Sequence, residues 1–246
     1  MNRMKKQLAL LLVLAMVLSL AACGSAKSDI IGTWQGRIDM TEAVASESID
    51  EGVKELLASM DYEMELSSVS DYVSSFDPLC VYVFNEDGSY AITMDETSLR
   101  DELEEYKAGL TEYFRQFFFE LLSQTLVELN LAEQVSSEEA LEALMGVSLD
   151  EAISEAVGME LRDFVSQIVD EEMGTAGEIA AEFKSEGKYK AKDGKLWLSA
   201  GLEYNVDPEM YEHYSISGST LTIEEGTVSQ DEEFARLYPL VFEKTA

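Results

Sequence analysis

The chain of 246 residues is poor in the groups that build most active sites. It has one histidine, two cysteines, three prolines and two tryptophans. A Ser-His-Asp arrangement would have to use His213, and no Gly-X-Ser-X-Gly elbow accompanies it. One histidine and two cysteines leave no donor set for a zinc site of the usual nitrogen and sulfur kind. The chain also lacks a glycine-rich phosphate loop and a dinucleotide fingerprint. No metal and no cofactor is expected. Cations are scarce too, with 17 Lys and Arg against 49 Asp and Glu. A surface so acidic repels nucleic-acid phosphate and bare anionic lipid, and both drop out as partners. The apolar run over residues 8–18 is shorter than the roughly 20 residues of a membrane span.

That run has a meaning of its own. Arg3, Lys5 and Lys6 precede it, and Leu20-Ala21-Ala22-Cys23 closes it. A positive start, a short apolar stretch and a small-residue cleavage site are the layout of a secretory signal peptide over residues 1–22. The closing tetrad resembles the lipobox of bacterial lipoproteins. The resemblance implies cleavage before Cys23, lipidation of its thiol, and a place on the extracytoplasmic face of the cell membrane. The membrane, through lipid on Cys23, is then a partner. Arg3, Lys5 and Lys6 leave with the signal, so 14 cations face 49 carboxylates and the formal charge becomes −35. Residues 23–29 form a short polar tether. Cys80 remains the one free thiol, in the apolar run Leu79-Cys80-Val81-Tyr82-Val83-Phe84, where a buried and inert side chain is expected.

Residues 30–246 read as one β domain with a helical insertion. Alternation puts Trp34, Gly36, Ile38 and Met40 on one side of a strand over 30–40. Strands over 79–84 and 89–94 flank the turn Asn85-Glu86-Asp87-Gly88. That turn lacks the ligand spacing and distal Glu of a calcium loop. Strands over 187–192 and 195–199 flank Asp193-Gly194, and strands over 210–216 and 219–223 flank Ser217-Gly218. A closing strand covers 237–244, with Pro239 suggesting an edge or a bulge. From about 95 to 183 the alternation vanishes. Leu99, Leu103, Tyr106, Leu110, Tyr113, Phe117 and Leu121 recur at helical steps. Capping-box spacings at Ser48-Ile49-Asp50-Glu51, Ser136-Ser137-Glu138-Glu139 and Ser148-Leu149-Asp150-Glu151 mark further helix starts. The aromatic density of Tyr113-Phe114 and Phe117-Phe118-Phe119 points to burial on two sides, with a docking patch as the alternative. The fold class is mainly β with a large helical insertion (α+β). It is an eight-stranded antiparallel meander or barrel with a helical block between strands three and four.

Gly32-Thr33-Trp34 resembles the Gly-X-Trp of the first lipocalin strand and the Gly-Thr-Trp of fatty-acid-binding proteins. In those families the tryptophan plugs one barrel end beneath a basic residue, for which Arg236 is the candidate. The Ile31-Gly32-Thr33-Trp34 start, the turn after Phe84, the hairpin ending at Trp197 and the end of the chain after Tyr238 are similar to uncharacterised, lipocalin-like lipoproteins of Gram-positive bacteria. The resemblance implies a barrel interior holding a small apolar ligand, with Trp34, Ile38, Tyr82 and Phe84 as interior positions. The alternative is a structural or protein-interaction envelope lipoprotein whose barrel is filled by its own side chains, the protein partner being unknown. A catalytic role ranks below both, because carboxylate pairs such as Asp101-Glu102, Glu104-Glu105 and Asp170-Glu171-Glu172 are solvated helix faces. A strip of Lys184, Lys188, Lys190, Lys192 and Lys195 is expected to meet carboxylates of the helical block.

Overall fold

A computed structural model of the chain describes residues 29–41, 47–59, 67–73, 75–200, 208–227 and 236–245. The signal segment, Cys23 and most of the tether lie outside the described residues. Eight antiparallel strands pair in sequence order and close into a barrel. They are β1 (Gly32–Arg37), β2 (Leu79–Phe84), β3 (Ser89–Met94), β4 (Ser185–Lys192), β5 (Lys195–Ala200), β6 (Glu212–Ser217), β7 (Thr220–Glu224) and β8 (Leu240–Lys244). The helices are α1 (Glu47–Ser59), α2 (Glu96–Glu128), α3 (Glu138–Met145), α4 (Leu149–Val157), α5 (Leu161–Glu172) and α6 (Ala176–Phe183). Five of them, α2 to α6, fall between β3 and β4.

The chain divides into two compact units. The first comprises Met1–Val44, Ser75–Glu102 and Met173–Ala246, and contains the barrel. The second comprises Ala45–Ser74 and Leu103–Glu172.

In the barrel unit, alternation sorts the side chains as pleated strands require. Cys80, Tyr82 and Phe84 of β2 point inward, as do Tyr90, Ile92 and Met94 of β3. Tight turns join β2 to β3, β4 to β5 and β6 to β7. Gly88, Asp193, Gly194 and Gly218 take positive φ there, the backbone that close hairpins need. In an up-and-down barrel these turns must share one end. The long connections over 38–78, 95–184, 201–211 and 225–239 all leave from the other. One end is therefore made of tight turns, and the long connections leave from the other, the variable end.

Near the turn end, Trp34 is fully buried and its indole N–H donates to the Ile30 carbonyl at 2.7 Å. The residue above its ring is Lys244 of β8, with Nζ 4.9 Å from the centroid, so a different cation takes the position expected of Arg236. The first strand is also shorter than 30–40: Ile30 lies in a turn and Ile38 beyond the last pair. The Ile38 N–H instead donates to the Pro78 carbonyl at 3.2 Å. Pro239 precedes β8 rather than marking an edge, since closure leaves none. At the variable end, Arg37 binds Glu102 at 2.6 Å and the Asp77 carbonyl at 2.7 Å, tying the exit of β1 to the first turns of α2.

In the helical unit, Leu103, Tyr106, Leu110, Tyr113 and Phe117 form one buried stripe along α2. Phe114, Phe118 and Phe119 are only half-buried, so burial on two sides is not complete. Ser148 caps α4 as its spacing indicates, whereas α3 is capped by Ser137 rather than Ser136. α1 already runs from Glu47, which places Ser48 inside the helix and not at its cap. Arg115 joins three helices, binding Glu138 of α3 and Asp150 of α4, the latter at 3.0 Å. Nearly buried Lys107 is matched by Asp170 at 2.9 Å.

Candidate functional site: the barrel interior

Strand pairing sets the interior neighbours. Trp34 pairs with Tyr82, Phe84 with Tyr90, Leu221 with Phe242, and Leu196 with Glu212. The ring centroids of Tyr82 and Phe242 lie 4.6 Å apart, and those of Phe84 and Tyr189 4.9 Å. Three of the four interior positions read from the sequence, Trp34, Tyr82 and Phe84, therefore meet inside the barrel. Ile38 is buried just past the ladder.

Space inside is uneven. Trp34, Phe84 and Phe242 keep 0–1% of their surface, and Leu196, Leu221 and Ile223 keep none. A cavity of several hundred Å³ would expose its walls to a water-sized probe, and these walls are closed. Tyr82 keeps 7% and Glu212 9%, while Leu198 and Leu240, toward the variable end, keep 7% and 8%.

Glu212 is what the sequence did not single out. It is the first residue of β6, facing inward beside Leu196, whose strand has just left the Asp193-Gly194 turn. Tyr238, just before β8, donates its hydroxyl to Oε1 of Glu212 in a short hydrogen bond. Tyr90 shares a hydrogen bond of 3.1 Å with Ser185. Among the described residues, Oε2 of Glu212 and the hydroxyl of Tyr82 have no hydrogen-bond partner. Burial pushes the Glu212 carboxyl up to about 7, against a smaller downward pull from the Tyr238 hydroxyl. Burial likewise raises Tyr82 well above the phenol range, with the Glu212 charge adding to it. Tyr90 and Tyr238 are raised for the same first reason. The cluster is one carboxyl and three phenols, with the Ser185 hydroxyl beside Tyr90.

The remaining candidates lie elsewhere. His213, one residue on, points outward, exposed, with its ring 5.3 Å from that of Tyr211. Among the described residues no serine or aspartate hydrogen-bonds it. Nor do any three His, Cys, Asp or Glu side chains gather as a metal-holding group among those residues. Lys184, Lys188 and Lys192 of the strip meet carboxylates of the barrel strands and turns, where the sequence predicts partners on the helical block. Lys188 meets Asp87 at 3.4 Å, Lys184 meets Glu186 at 2.7 Å, and Lys192 lies 3.9 Å from Asp193. Lys190 and Lys195 lie over the rings of Trp197 and Tyr211. Cys80 is buried, which pushes its thiol up to about 12. In a chain carrying Cys23→Ala, a thiol reagent should leave the folded protein unmodified and label one site after unfolding. Prompt labelling of the folded chain would show the β2 face to be open.

Comparison with protein-family models, with curated proteins and with solved structures returns no match.

Proposed function

We propose that the chain is a lipid-anchored, non-catalytic binding module on the extracytoplasmic face of the cell membrane, taking a small ligand beside Glu212 inside its barrel. The observation that carries this reading is Glu212. Burying a carboxyl costs several kcal/mol unless its lone pairs are satisfied. A leucine there would extend the wall formed by Leu196, Leu198 and Leu240 at no such cost. Side chains held in a costly, proton-binding environment inside a concavity are characteristic of binding sites. The closed walls around Trp34, Phe84 and Phe242 favour a small guest with a polar group, in place of the small apolar ligand that the lipocalin resemblance implies.

The resemblance to lipocalin-like lipoproteins supports both halves of the reading. Gly32-Thr33-Trp34 supplies the barrel half, and Leu20-Ala21-Ala22-Cys23 supplies the anchor. Native mass spectrometry of the mature protein from its own host should find a small molecule retained by the wild type and lost from Glu212→Gln. A bare wild-type protein under conditions that keep weak complexes would overturn the binding reading. The anchor has its own test. Cys23→Ala should release the protein to the medium, and a variant that stays with the membrane would refute lipidation at Cys23.

A second reading, as an envelope interaction protein, is favoured by exposed apolar side chains in the helical unit. Val127, at the end of α2, is followed by Leu129 and Leu131, and Leu144 on α3 is also exposed. Cross-linking at these positions to a protein, with no small molecule in the barrel, would select it instead.

A further inference from the structure

Resting on the binding reading above, we infer that the ligand is a small organic cation whose ammonium or guanidinium head pairs with Oε2 of Glu212 beside the ring of Tyr82. The carboxyl is inside the barrel, one oxygen is bonded by Tyr238, and the other has no partner among the described residues. No lysine, arginine or histidine is paired with it among those residues. Each neighbouring element offers a neutral group: Tyr82 from β2, Tyr90 from β3, Ser185 from β4, Leu196 from β5, and Tyr238 ahead of β8. The charged or titratable groups acting on this cluster are Cys80, beside Tyr82, and Glu225, which bears on Tyr238. Neither supplies a positive charge. The ionised form of Glu212 thus has no countercharge among the described residues, and a bound cation would supply one.

The chemistry of the walls narrows it. Aromatic faces attract cations, most strongly where water is excluded. The Glu212 charge acts on Tyr82, whose ring centroid lies 4.6 Å from that of Phe242, so aromatic faces line this part of the interior. A hard metal ion demands several oxygen ligands, and one carboxylate among phenols does not provide them. An anion would face Glu212 with no cation to hold it. The −35 charge left on the chain after removal of residues 1–22 further raises the local concentration of cations at the surface.

Proton coupling follows. Glu212 is protonated below about 7, and only its ionised form pairs with a cation. Binding near neutral pH therefore releases a proton, and affinity falls about tenfold per unit as the medium is acidified below that value.

The experiment titrates the folded Cys23→Ala chain with choline, n-butylammonium and dimethylbutanol, the neutral isostere of choline, reading heat and the tyrosine ring resonances. The cations should bind about tenfold or more tightly than the alcohol, a margin that charge-assisted pairing supplies and Glu212→Gln should erase. Tyr238→Phe gives an independent check, since losing its hydroxyl should move the pH midpoint of cation binding upward. Equal binding of choline and the alcohol, with shifts at Tyr82, would refute the cation and leave the binding site standing. No binding of any probe would overturn both. Selectivity for cations that survives in Glu212→Gln would place the site elsewhere and refute the assignment.

Discussion

Glu212→Gln is expected to raise the unfolding midpoint of the barrel by about 6–12 °C at about pH 8 and to leave it unchanged at about pH 4. The sign follows from which state holds the proton. Burial raises the Glu212 carboxyl from 4.5 to about 7 in the folded chain. Between those values the folded chain keeps a proton that the unfolded chain releases. Stability from this group is thus full below 4.5, declines as the medium becomes more basic, and is lost above about 7. The loss amounts to about 3 kcal/mol in the absence of a bound cation. Glutamine mimics the protonated carboxyl at every pH, so the variant escapes the loss. Trp34 and Trp197 are the two tryptophans of the chain and both belong to the barrel unit, so indole fluorescence reads this unit. An equal shift at both pH values, or a fall at the basic one, would show that Glu212 does not titrate inside the barrel.

Gly36→Ala should prevent the barrel from closing. Gly36 faces inward on β1 where that strand meets β8. A Cβ built there falls well inside contact distance of the Val241 carbonyl oxygen and 2.7 Å from Cδ1 of Phe242. The first of these atoms is backbone in a paired strand and cannot turn aside. Overpacking in a yielding core costs about 1–3 kcal/mol, and against backbone the cost should reach or exceed the upper end. Gly52→Ala is the matched control. A Cβ at Gly52 meets nothing within 4 Å, so the change should stabilise α1 by about 0.5–1 kcal/mol through helix propensity. Circular dichroism and tryptophan fluorescence together read the two substitutions. A normally stable Gly36→Ala chain would mean that β1 and β8 are farther apart than described.

Much of the architecture was legible because its signals are local. Asp193-Gly194 and Ser217-Gly218 state their turns outright, and the period of two along residues 79–84 separates Tyr82 and Phe84 from the outer face. The steps from Leu99 to Phe117 likewise specify α2 over most of its length. Closure of the barrel was only an expectation, because nothing local in residues 32–37 encodes pairing with residues 240–244. The site was half legible. Alternation already set Glu212 opposite His213, and the inward tryptophan and tyrosine were readable. With 49 carboxylates in the chain, however, no composition or spacing distinguishes the one that is buried. Its partner Tyr238 lies 26 residues away and meets it only because β6 and β8 both flank β7. Lys244 over Trp34 was hidden for the same reason: cations find aromatic faces through the fold, not through the sequence.

The segregation of turns and long connections to opposite barrel ends also fixes a direction. The chain enters β1 at the turn end, nine residues after Cys23. Those residues span at most about 30 Å when extended. Were Cys23 lipidated as proposed, the tether would join the bilayer to the turn end of the barrel. The long connections leave from the opposite end, so residues added to them would not lie between β1 and the anchor.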